Sequence, residues 1–75
     1  MMMYNIEFIR RVPGRDEPEV VDVHNMMAFS LEQVIHCAAL SLRTITFRVT
    51  PETFRIRQNG GQIVYAPPAR TLVIS

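Results

Sequence analysis

The side chains in this sequence that could hold a metal or attack a substrate are few and scattered. His24, His36, Cys37 and Asp22 are the only plausible ligands, Ser30, Ser41 and Ser75 the hydroxyl nucleophiles, and Asp16 with Glu17 the paired carboxylates. A zinc centre needs three or four converging ligands, announced by spacings such as Cys-x-x-Cys or His-x-x-x-His, and neither spacing occurs. His36 and Cys37 are neighbours on a segment that reads as helix, so their side chains diverge by roughly 100° and do not readily share one ion. The same divergence makes His36 a poor general base for Cys37, which sits mid-helix, away from the N-terminus where thiolates are activated. The serines fall at a helix cap, a helix flank and the chain end, and none stands in a Gly-x-Ser-x-Gly elbow. Asp16 and Glu17 lie in a polar turn, where solvated acids make weak general acids. No enzyme, metal or cofactor is expected from this set.

Phosphate binding has two routes. A nucleotide cradle needs glycines between a strand and a helix, whereas Gly60-Gly61 falls in a hairpin turn and Gly14 follows a proline. The second route is arginine: all eight basic residues are arginine, with no lysine. The planar guanidinium suits bidentate contacts to phosphate. Arg48, Arg55 and Arg57 fall on the outward positions of strand-like segments among Thr44, Thr46 and Thr50, a face that could grip phosphates. Readers of single-stranded nucleic acid also present aromatic rings for stacking, and here Phe47, Phe54 and Tyr65 alternate toward the core instead. Arginine and threonine on a solvated sheet face account for the same residues, and a net charge of only +1 is low for a nucleic-acid domain.

The elements that must position these groups are read from periodicity. Tyr4, Ile6 and Phe8 alternate with Asn5 and Glu7, and Val21 and Val23 with Val20, Asp22 and His24. A period of two predicts two strands, joined through a turn at residues 13–18 marked by Pro13-Gly14 and Pro18. Ser30 with Gln33 three positions on forms a capping box. Leu31, Val34, Ile35, Ala38 and Leu42 then share one arc of a helix, with Leu40 on the opposite side. Ile45, Phe47 and Val49 alternate again and predict a further strand, interrupted by Pro51. Asn59-Gly60 is the favoured pair for a two-residue type I′ turn. That turn would set Ile56 opposite Ile63 and Phe54 opposite Tyr65, with Arg57 facing Gln62 and Arg55 facing Val64. Thr71–Ile74 would be a last edge strand or an ordered tail.

Seventy-five residues, 48% apolar and 20% charged, make a single small globular domain over residues 1–75 and exclude a multidomain enzyme, a coiled coil or a low-complexity tail. The expected fold is α+β, in the order β-β-α-β-β-β. A mainly antiparallel sheet of four to five strands carries one helix on one face. A single cysteine cannot make an internal disulfide, and no apolar run approaches the roughly 20 residues of a membrane span; with no signal-peptide pattern at the start, a soluble, cytoplasmic protein is expected.

Apolar groups remain that one helix cannot cover. Alternation places Ile9, Val20 and Val64 on the outer sheet face, and Leu40 points out from the helix. Together they predict an interface. Acidic residues cluster in 16–32 and basic ones in the carboxy-terminal half, which gives complementary charge. The expected function is a non-enzymatic protein-interaction domain, most simply a homodimer, and the alternative is a weak nucleic-acid binder using Arg48, Arg55 and Arg57.

Overall fold

The alternating residues Tyr4, Ile6 and Phe8 do form a strand, and it is the spine of the fold. The computed structural model describes residues 1–66; the segment Thr71–Ile74 lies outside them. Strand β1 (Met2–Arg10) is followed by β2 (Glu19–Ala28), helix α1 (Leu31–Thr44), β3 (Thr53–Gln58) and β4 (Ile63–Tyr65). All strand pairings are antiparallel, and the order across the sheet is β2-β1-β3-β4. Among the described residues the chain is therefore a small α+β fold of one helix and a four-stranded sheet.

The core is one cluster. Tyr4, Ile6 and Phe8 of β1 and Phe54 and Ile56 of β3 are buried with Ala28, Val34 and Ala38, and Leu31, Ile35 and Leu42 of α1 pack against them. Helix α1 begins where its sequence directs. The Ser30 hydroxyl accepts from the Gln33 N–H at 3.3 Å, and the Gln33 amide oxygen accepts from the Phe29 N–H at 3.0 Å. One N-terminal amide that the helix itself cannot satisfy is thereby paired, and the Gln33 side chain ties down the residue before the cap.

Three expectations are corrected. Residues 45–52 form no strand. Both edges of β1 are taken, by β2 and β3, and the alternating segment pairs with neither outer edge of the sheet, at β2 or at β4. Phe47 instead turns inward against Phe8 with ring centroids 4.9 Å apart, while Ile45, Arg48 and Val49 are exposed. In β2 the register shifts at Phe8/Ile9, which pair with Asp22 and Val20 and leave Val21 as the extra residue. Such a bulge reverses which side chains face inward. His24 therefore lies against Phe8 at 5.1 Å, and Val23 is exposed, the reverse of simple alternation.

The third correction concerns the β3–β4 hairpin. Its type I′ turn forms as expected, with Asn59 at φ 54°, Gly60 at φ 75° and the Gly61 N–H donating to the Gln58 carbonyl at 2.9 Å. The register beyond it does not. The Gln58 N–H reaches past Gly61 to the Gln62 carbonyl, so Arg57 pairs with Ile63, and a second irregularity sets Ile56 opposite Tyr65. Ile63 is consequently exposed, and Val64 packs against the core instead of lying among the arginines. Gly60→Ala meets no atom within 4 Å, so its expected cost of about 1–2 kcal/mol is conformational, from forcing a Cβ into the left-handed region. Urea melts of the two proteins measure it.

Candidate functional site

The sheet face opposite the core cluster is built from the alternate residues of all four strands. Strand β1 contributes Asn5, Glu7 and Ile9. Their partners are Asn25, Val23 and Val20 on β2, and Arg57, Arg55 and Thr53 on β3. At the centre one carboxylate is forked between two guanidinium groups. Glu7 accepts from Arg55 Nε at 2.6 Å through one oxygen and from Arg57 Nε at 3.0 Å through the other. Its side chain is only 14% exposed. Burial pushes the Glu7 carboxyl up, but the hydrogen bonds from Arg55 and Arg57, and then their charges, outweigh it and hold the carboxyl below the ordinary value of 4.5.

Beside this ion cluster runs a line of amides. The Gly60 N–H donates to Asn5 Oδ1 at 2.6 Å, and Asn5 Nδ2 donates to Asn25 Oδ1 at 2.8 Å. The line thus crosses from the β3–β4 turn to the sheet's edge at β2. Around it stand exposed apolar side chains, Val20, Val23 and Met27 on β2 and Ile63 on β4.

The residues singled out from the sequence are only partly brought together. Ile9 and Val20 are directly paired on this face. Val64 is turned to the core side, and Leu40, 53% exposed, belongs to the helix layer. Arg55 and Arg57 share the face, but both are committed to Glu7, and Arg57 Nη1 also donates to the Gly61 carbonyl at 2.9 Å. Arg48 lies in the irregular segment 45–52 and is not on the sheet. The contiguous arginine-threonine face expected from alternation is absent, because it required a strand at 44–50.

Sequence reasoning missed Glu7 as the partner of Arg55 and Arg57. Cross-strand pairing of opposite charges was the available signal, but it needed β1 to be placed beside β3. It also missed the exposure of Val23, Met27 and Phe29. Where β2 turns into α1, a shallow groove of about 460 Å³ is lined by Met1, Met26, Met27, Phe29, His36 and Cys37 among others. His36 and Cys37, which helical spacing sends apart, thus flank the same groove. Asp22 Oδ2 and His24 Nε2 lie 3.1 Å apart. Among the described residues no three His, Cys, Asp or Glu side chains gather as a metal site, and no helix is long and apolar enough to cross a membrane. The chain matches no protein-family model, no curated protein and no solved structure.

Proposed function

We propose that this chain is a small, non-enzymatic protein-interaction domain whose partner is a second copy of itself. The observation that carries this is the apolar band on β2. Val23 and Met27 are 47% and 50% exposed, and Val20 continues the line. The helix residues that join the core pack on the other face of the sheet, and none of the described residues shields these side chains. Asn25 stands between Val23 and Met27 on this face, and exposed apolar side chains among polar groups mark interaction sites. The neighbouring charges support the same conclusion. Glu7 offsets one of the two arginine charges and holds both side chains down, so the face has less excess charge than its arginines imply and can approach its own copy. The free thiol of Cys37 suits a reducing, cytoplasmic setting.

Nucleic-acid binding draws less support, because two of the three arginines proposed for it are ion-paired and the third lies elsewhere. Sedimentation at tens of micromolar tests the proposal. A two-chain mass is expected, reduced to one chain by Val23→Asp with the circular dichroism spectrum unchanged. A one-chain mass for the unmodified protein, together with retention on single-stranded nucleic acid at ~50 mM salt that fades as salt rises, would replace it with the phosphate-binding alternative.

A further inference from the structure

Resting on the self-association proposed above, we infer that two copies join by antiparallel pairing of β2 with β2, with the two-fold axis at Asn25, so that the sheet runs on from one copy into the other. The sheet has two edges. At one, β4 is three residues long. At the other, β2 is ten residues long and has no partner on its outer side among the described residues. Exposed edges are usually blunted by proline, charged side chains, bulges or short length. The bulge at Val21 and the Asp22 carboxylate mark one end of this strand, and from Val23 to Ala28 it has no proline, bulge, carboxylate or arginine.

The geometry of β2 selects the register. The bulge at Val21 ends regular pairing at Asp22, and the strand ends at Ala28. Residue 25 is the midpoint of that regular stretch, and a two-fold there gives the longest unbroken self-pairing. It sets Val23 opposite Met27 of the second copy, and Met27 opposite Val23, so the exposed apolar pair is covered twice by one operation. On the other face His24 meets Met26. Asp22 falls opposite Ala28, and no acidic residue of the stretch meets another. At the axis Asn25 meets Asn25. The amide line from Gly60 through Asn5 ends on Asn25 Oδ1, and Asn25 Nδ2 has no partner among the described residues. That donor is free to reach the Oδ1 of the second Asn25, which carries the hydrogen-bonded line through the axis into the second copy.

Residues opposite one another in an antiparallel ladder have Cα atoms ~4.5–5.5 Å apart, within the span of a disulfide. With Cys37→Ser removing the natural thiol, Asn25→Cys under mild oxidation is expected to convert most of the protein to a covalent two-chain species. The same background with Ile63→Cys, on β4, is expected to stay largely single-chain. Hydrogen exchange on the unmodified protein gives a second readout that needs no substitution: raising the concentration should slow amides within 22–28 and leave those of β4 unchanged. A two-chain mass with neither the Asn25→Cys cross-link nor protection of 22–28 would overturn the β2 register and leave self-association standing. A one-chain mass throughout the concentration series would overturn both. If Asn25→Cys does not fold, the exchange result decides.

Discussion

Phe8→Ala is expected to unfold much of the population at room temperature. Phe8 is fully buried near the end of β1, edge-on to His24 and tilted against Phe47. It joins the sheet, the irregular segment 45–52 and the helix residues of the core. Truncating a buried phenylalanine costs about 3–5 kcal/mol in lost burial and residual cavity. A chain of this length has roughly 4–11 kcal/mol in total. Urea denaturation should show a midpoint shifted far toward zero, or no native baseline. Leu40→Ala on the exposed helix face should move stability by about 0.5 kcal/mol or less, and equal losses at the two positions would contradict this placement of the core.

Glu7→Gln has the second largest expected effect, and its signature is in the pH dependence. The substitution keeps the shape of the side chain and leaves two guanidinium groups facing a neutral amide. Removing one member of a buried ion pair costs several kcal/mol, and an exposed pair is worth less than about one. Glu7 and Arg55 are both largely buried and Arg57 less so, which gives an expected loss of about 2–3 kcal/mol. Because the folded carboxyl is held below 4.5, its contribution is complete above that value and is lost as pH falls through the lower, folded-state value. Unfolding free energy measured from neutral pH down to pH 3 should therefore fall less steeply in Glu7→Gln than in the unmodified protein. Parallel curves would show that this carboxylate is not a source of acid sensitivity.

Local chemistry in this chain is legible and long-range pairing is not. Ser30 and Gln33 announce the helix start, Asn59-Gly60 the tight turn, and Tyr4-Ile6-Phe8 the inner face of β1, because each signal is complete within a few residues. The failures come from partners distant in sequence or from one residue added to a hairpin arm. The alternation of Ile45, Phe47 and Val49 is real, but alternation makes a strand only where a ladder forms, and this segment pairs with none of the four strands and packs through Phe47 on Phe8 instead. Val21 and Gly61 each add one residue to a hairpin arm. In a structure of period two, one added residue reverses the side chains beyond it until a second irregularity restores them, as happens before Tyr65. That single effect moved His24 and Val64 inward and Val23 and Ile63 outward.

The candidate site follows the same rule. Ile9 and Val20 were legible as outward apolar residues because they adjoin the first hairpin. Val23 and Met27, the most exposed apolar side chains of β2, were hidden by the bulge. Arg55 and Arg57 were legible as a pair on one face, but their ion pairing depended on Glu7, close to fifty residues away in the chain. Two of the three arginines that read as phosphate contacts, Arg55 and Arg57, thus form an ion cluster with Glu7 in the fold.

Self-association is tested most directly by the mass of the unmodified protein in solution. Light scattering coupled to gel filtration, run over a dilution series from tens of micromolar downward, should return two chains at the top of the series and approach one chain as the protein is diluted. A mass of one 8.6 kDa chain at every concentration would contradict it.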